Sequence, residues 1–212
     1  MTAESDTHSG GVVFGVDGGD AELADAIARH PGLPVRFAAD ASSDLARALG
    51  IAGEPRRVRA PVTIDVLQLG GGRRAVNMVV LGRPPDRLRR CHRPRRCRVE
   101  VDGRLVYDAP ATSVVVANGE YLRGLDVVPR GHPGDGRLEV HVYAVAAAQR
   151  RRMRQRLATG THLPHPGIGT SQGSRVTIQW DRTVRLEVDG ASHGRVSDLE
   201  VMLGVGEVTL VP

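Results

Sequence analysis

The sequence predicts a short α/β segment followed by a larger, mostly-β, sandwich-like region, and three observations carry that expectation. Glycine and proline are abundant, 26 and 13 in 212 residues, and they punctuate short Val-rich runs, the composition of strands joined by tight turns. Helical periodicity is confined to a few stretches, two of them before Ile51. Aromatic residues make up only 3%, so aliphatic side chains must fill the core, and 212 residues with 41% hydrophobic content can bury one substantial core or two modest ones.

The first ten residues, MTAESDTHSG, are polar and read as a disordered tail. From Gly11, GVVFGVDGG is a short apolar strand running into a glycine turn, and DAELADAIARH then places Leu23, Ala26 and Ile27 on one helical face. After Pro31 and Pro34, LPVRFAAD can form a second strand. ASSDLARALGI reads as a second helix, entered through Ser42 or Ser43 as N-cap and closed by Gly50. Residues 11–60 are thus a β-α-β-α half of an α/β sheet with a basic linker, GEPRRVRAP, at its end.

The character then changes. VTIDVLQL, RRAVNMVVLG, CRVEVDGRLVY, TSVVVANGEY, RLEVHVYAVA, SRVTIQW, TVRLEVDG and DLEVMLG all read as strands of a β-rich region spanning 61–205, and 206–212 as a terminal strand. The exception is Ala146 to Leu157, which looks helical and ends near Gly160. No internal repeat is evident; the recurring VDG at Val101–Gly103 and Val188–Gly190 reads as two hairpin turns.

Every one of the 29 basic residues is Arg, and the formal net charge is +5. The absence of Lys excludes a Walker-type phosphate loop and a Schiff-base enzyme. Arginines cluster at Arg87–Arg98 and Arg150–Arg156. Such clusters suit an anionic membrane surface or a solvated face; without interleaved aromatics no nucleic-acid partner is expected. Cys91, His92 and Cys97 match no common zinc spacing and lie among seven arginines, so free thiols are expected. With no signal-peptide pattern and no apolar run of about 20 residues, a cytoplasmic location is expected, peripheral to the inner membrane surface if the clusters touch lipid.

Several segments, taken together, resemble the diacylglycerol kinase and sphingosine kinase-like lipid kinases of bacterial type. Gly15-Val16-Asp17-Gly18-Gly19 followed by Glu22 is similar to that family's GGDGT and NE helix, and ASSDLARALGI to its GTGNDFARALGI. VTIDVLQL with AVNMVVLG, VVVANGEY with Pro129, PGDGRLEV, LATGTHLPHPG, VRLEVDG and GEVTLVP continue the match in order. The resemblance implies that 11–60 is a shortened remnant of the nucleotide-binding lobe and 61–205 the β-rich C-terminal domain. It also implies ATP and Mg²⁺ as cofactors, with phosphoryl transfer to a lipid hydroxyl.

Residue by residue, the resemblance assigns Gly15, Asp17, Gly18, Gly19 and Asp44 to the nucleotide. Asp135 would be the Mg²⁺ carboxylate, with backbone carbonyls near His132 and Arg137 as co-ligands, and Asp189 the catalytic base. Gly134-Asp135-Gly136 and Asp189-Gly190 read equally well as ordinary tight turns. The chain departs from the family at Val16 for Gly, Gly19 for Thr, Asp40-Ala41-Ser42-Ser43 for Gly-Thr-Gly-Asn, and Ala191 for the Glu of DGE. A catalytically inactive lipid- or anion-binding relative is therefore the alternative expectation. An exposed sheet edge would favour a homo-oligomer.

Overall fold

The computed structural model describes residues 5–8, 11–51 and 57–212. In chain order the elements are β1 (Ser5–His8), β2 (Gly11–Gly18), α1 (Asp20–Arg29), β3 (Val35–Ala39), α2 (Asp44–Ala48), β4 (Val62–Leu69), β5 (Arg74–Ala75), β6 (Met78–Gly82), β7 (Arg95–Val101), β8 (Arg104–Ala111) and β9 (Ser113–Ala117). They continue with β10 (Tyr121–Leu122), β11 (Leu125–Asp126), β12 (Leu138–Tyr143), α3 (Arg150–Arg156), β13 (Ile168–Gly173), β14 (Arg175–Val188) and β15 (Ala191–Val211). The fold is mostly β, an α/β segment joined to a β-sandwich-like body.

In the first part β2 and β3 pair in parallel from Phe14–Val35 to Gly18–Ala39. This ladder carries the strand through Val16 and Gly18, so the glycine turn anticipated over Gly15–Gly19 shrinks to Gly19, the N-cap of α1. Ser5–His8, within the segment read as a tail, pairs antiparallel with β2, which satisfies backbone groups along that edge. Helix α2 starts where Ser43 accepts a hydrogen bond from the Ala46 N–H, as an N-cap does. Leu23 and Ile27 of α1, Phe37 of β3 and Leu45 of α2 bury their side chains with Ile64 and Val66 of β4 and Leu210 of β15.

The sandwich is built on two long strands. β14 pairs with β7 over Val176–Trp180 and with β6 over Leu186–Val188, the change of partner falling at an irregularity between Gln179 and Val184. β15 pairs with β14, then β4, and finally lies parallel to β3 at Leu210 and Val211. Strands β6, β9, β12 and β13 complete the other layer. Val79 and Leu81, Val114 and Val116, and Val140 and Val142 point into the inter-sheet core. The alternate residues Met78, Val80, Val115 and Tyr143 face Met153 and Leu157 on the outer side. Burial on both faces explains why these strands read as unbroken apolar runs.

Helix α3 begins at Arg150, later than the periodicity suggested, because Ala146–Gln149 closes a turn through the Gln149 N–H and the Ala146 carbonyl. Gly160, at φ +63°, ends the segment in a left-handed conformation.

Candidate functional site

Two loops at the ends of β2 and β3 meet in front of the short helix α2. Asp20, buried at the start of α1, sends its carboxylate across to that helix. It accepts the Ser43 hydroxyl at 2.5 Å and the N–H groups of Asp44 and Leu45 at 3.1 and 3.0 Å. Burial pushes the Asp20 carboxyl up to about 6 despite the Ser43 hydrogen bond, which favours the ionised form. The other amides of these loops are also taken. Gly19 N–H donates to Glu22 at 3.0 Å, Ser42 N–H to the Asp40 carboxylate at 2.7 Å, and Ser43 N–H to the Asp40 carbonyl at 3.4 Å.

The loops also approach closely. A Cβ on Gly19 would lie 2.9 Å from the Ser42 hydroxyl, itself held by Asp40 at 2.6 Å. A threonine at this place would therefore collide with the facing loop, and glycine lets the two close on each other.

Asp44 faces the other way. Its carboxylate accepts the backbone N–H of Arg123 and, at 2.7 Å, that of Gly124, which ties α2 to the turn between β10 and β11. Arg123, held at φ +54°, forks onto Asp86 at 3.0 and 2.9 Å and reaches Glu187 with its third nitrogen. Burial alone would make the guanidinium easier to deprotonate; the two carboxylates outweigh it and hold the proton more firmly than usual.

Asp189, two residues beyond Glu187, is partly exposed and sits at φ +46°. Its carboxylate accepts three consecutive backbone N–H groups, from Val76 at 2.8 Å, Asn77 at 3.0 Å and Met78 at 2.8 Å. Burial of the carboxyl and then the nearby Asp20 charge push it up to about 8, against the pull of these amides. The hairpin turn read at Asp189-Gly190 is present, and its Asp is also the strap that holds the β5–β6 junction.

The predicted metal turn lies elsewhere. Asp135 is exposed and accepts the Arg137 N–H at 3.0 Å, while the His132 carbonyl accepts the N–H groups of Gly134 and Asp135 at 2.8 and 3.4 Å. The turn is pinned by Asp65, a buried residue of β4 that accepts the N–H of Gly136 at 2.8 Å and of Gly206 at 2.7 Å.

Of the residues assigned from sequence, Gly18, Gly19 and Asp44 fall at the loop junction with Asp189 near Asp20, whereas Gly15 and Asp17 are strand residues and His132, Asp135 and Arg137 form a separate turn. Asp20, Arg123 and Asp65 were not singled out from sequence. Asp20 and Asp65 are distinguished by burial and the half-buried Arg123 by its two carboxylate partners, and neither feature has a local sequence pattern.

These arrangements test the implied cofactors. A phosphate needs unclaimed N–H donors, yet the amides of Gly19, Ser42, Ser43, Asp44 and Leu45 are all claimed, most of them by carboxylates. A phosphate about 4 Å from Asp20 or Asp40 is repelled by roughly 1–4 kcal/mol. The nucleotide phosphates do not fit these loops. At the turn assigned to Mg²⁺ the Asp135 carboxylate accepts the Arg137 N–H and the His132 carbonyl accepts the N–H groups of Gly134 and Asp135. Among the described residues no cluster of three or more His, Cys, Asp or Glu could hold a metal ion.

The two arginine clusters converge. Arg150 is buried and donates to the carbonyls of Val145, Arg89 and His92, so it joins α3 to the loop between β6 and β7. His162 is buried on the Val127 carbonyl, and His165 accepts the Gly167 N–H, as structural residues would. Cys97 lies in the core and Cys91 at the surface, both free. Among the described residues no helix is long and apolar enough to cross a membrane.

An α/β segment feeds a two-layer β body, and charged residues gather at their junction. Residues 87–207, more than half of the chain, match the family model described as the YegS C-terminal NAD kinase beta sandwich-like domain. The chain belongs to the diacylglycerol kinase-like lipid kinase family.

A crystal structure of a diacylglycerol kinase from Bacillus anthracis str. Sterne superposes with a TM-score of 0.77 at 17% identity, over 94% of this chain and 77% of that one. An NAD kinase from Archaeoglobus fulgidus in complex with ATP gives 0.51 at 10% identity, over 94% and 77%. Yeast NADH kinase complexed with NADH gives 0.52 at 15%, over 94% and 61%. At such identities these likenesses concern the fold. No curated protein matches the sequence.

Proposed function

We propose that this chain is a lipid- or anion-binding member of the lipid kinase family whose nucleotide loops are closed by its own side chains. The observation that carries the reading is the Asp20 carboxylate seated on the Ser43 hydroxyl and the Asp44 and Leu45 N–H groups. An internal anion there satisfies the donors that a phosphate would need, at no entropic cost of association. The converged arginines supply the positive surface, and a cavity of about 840 Å³ lined by Leu163, Pro164, Ile168, Arg130 and His165 offers mixed apolar and polar walls suited to an amphipathic ligand.

The test is a pair of titrations on the full chain. Vesicles of anionic lipid are expected to bind, more weakly as salt rises, whether or not Mg-ATP is present. Saturable Mg-ATP binding at micromolar concentration would overturn the reading.

A second reading, ATP- and Mg²⁺-dependent transfer of phosphate to a lipid hydroxyl, is favoured by Asp189. Its carboxyl is pushed up to about 8, first by burial and then by the Asp20 charge, which is the range of a general base near neutral pH. Labelled phosphate appearing in extracted lipid from ATP, and lost in Asp189→Asn, would establish it.

A further inference from the structure

The arginines of this chain are not all alike. On the sandwich, Arg96 pairs with Asp108, Arg98 with Glu100, Arg175 with Glu200 and Arg74 with Glu207. At one end of the same layers, Arg83, Arg93, Arg95, Arg185 and Arg195 surround a depression of about 300 Å³ that no Asp or Glu lines, and among the described residues none of the five makes an ion pair. We propose that this depression is a binding site for a phosphomonoester group. The inference rests on the anion-binding reading above and gives that reading a place and a chemistry.

Three features of the backbone and walls support it. Arg185 and Arg195 are directly opposite each other in the β14–β15 register, a like-charge pair that costs stability unless an anion lies between them. The irregularity in β14 between Gln179 and Val184 puts Trp180 and Val184 in the wall of the depression, and bulges serve to re-aim side chains in this way. Thr183 in turn holds the Arg195 guanidinium through its carbonyl, at 2.6 Å, and its hydroxyl, at 3.4 Å, which leaves further N–H groups of that fork to donate.

Trp180 is 6% exposed and lines the depression, and its indole N–H has no acceptor. His92, also in the wall, is made harder to protonate, first by burial and then by Arg83, Arg150 and Arg89, as expected in a positive field.

A dianionic phosphomonoester matches several guanidinium forks better than a phosphodiester does, because it offers more charge and more terminal oxygens. The site is separate from Asp189. Arg185 lies four residues away along β14, about 13 Å at strand rise.

Trp180 is the chain's single tryptophan, so its fluorescence reports on the site directly. The full chain is titrated with inorganic phosphate at constant ionic strength, and separately with phosphatidylcholine vesicles carrying either phosphatidic acid or phosphatidylglycerol. A saturable change with phosphate is expected, weakened about tenfold or more in Arg185→Gln and Arg195→Gln and unchanged in Arg104→Gln, an exposed arginine outside the depression. Arg185→Gln is expected to melt at or above the wild-type temperature, since it relieves the like-charge pair and leaves the hydrogen bonds of Arg195 to Thr183 in place.

Tight response to phosphatidic acid vesicles with weak response to free phosphate identifies a lipid headgroup, and comparable responses identify a soluble phosphate. No saturable change below about 10 mM phosphate, or equal loss in Arg104→Gln, overturns the site. If vesicles bind equally to wild type and pocket variants, the pocket fails while lipid binding stands. If phosphate binds at the pocket and no vesicle does, lipid binding fails while the pocket stands.

Discussion

Asp20 and Ser43 approach to 2.5 Å, oxygen to oxygen, across the gap between the first two strand-to-helix loops. This contact occupies the N–H groups of the loop that the resemblance assigns to phosphate, and it links the ionisation of Asp20 to stability. Asp20 titrates at about 6 in the folded chain, against 3.8 for the free group. A carboxyl raised on folding stabilises the folded state below pH 3.8, and that contribution is lost as pH rises through about 6. His141 and His162, kept neutral down to about 4 by burial, act in the opposite direction between about 4 and 6.5. The comparison is therefore drawn against Asp20→Asn. Wild-type unfolding free energy minus that of the variant is expected to fall by about 1–3 kcal/mol between pH 4 and 7, read from urea titrations. A difference independent of pH would refute this.

The approach of Gly19 to Ser42 gives a coupling measurement. Gly19→Ala alone is expected to cost about 1–2 kcal/mol, because its Cβ would meet the Ser42 hydroxyl at 2.9 Å. In a Ser42→Gly background the cost is expected to shrink by at least about 0.5 kcal/mol, giving a non-additive double-mutant cycle. Strict additivity would mean that the loops separate freely in solution.

Asp44 serves as a clamp between α2 and the turn of β10 and β11. Asp44→Ala leaves the Arg123 and Gly124 N–H groups without their acceptor and should lower stability by about 2–4 kcal/mol, with Asp44→Asn losing less. Chemical denaturation measures both. Amide exchange at Arg123 and Gly124 should accelerate in parallel.

Arg123 joins Asp86 and Glu187. Arg123→Met strands two carboxylates and should cost about 3–5 kcal/mol. Lysine cannot reproduce the fork on Asp86, so Arg123→Lys should recover less than half of the loss. Full recovery by lysine would show that charge, and not geometry, is what the site uses.

Much of the fold was legible because its signals are local. Leu23, Ala26 and Ile27 keep helical spacing, Ser43 caps α2 and Gly160 takes the left-handed turn that ends the α3 segment. The runs around Val79, Val115 and Val140 announced strands, and their lack of alternation follows from burial on both faces. The extent of β2 was not legible, since whether Gly15 to Gly18 turns or continues is decided by pairing with Arg36 to Ala39, residues on another strand.

The site divided along the same line. Residues that a motif marks, such as Gly19, Asp44 and Asp189, could be picked from the sequence, but the partners that define what they do could not. Asp44 meets a turn 80 residues away and Asp189 straps amides more than 110 residues away. Asp20 carried no signal beyond an acid in a helix's first turn.

Strand β15 has a consequence for how the chain is made. Val35 and Phe37 leave the ribosome early, yet the core they enter also needs Val208 and Leu210, and Leu210 is the residue that pairs with Val35. The sandwich waits as well, because β14 and β4 both lean on that strand. Neither half can close until β15 has been translated, so the nascent chain carries open strand edges up to that point. Such a topology folds slowly, and its dependence on chaperones should exceed that of a helical protein of the same length.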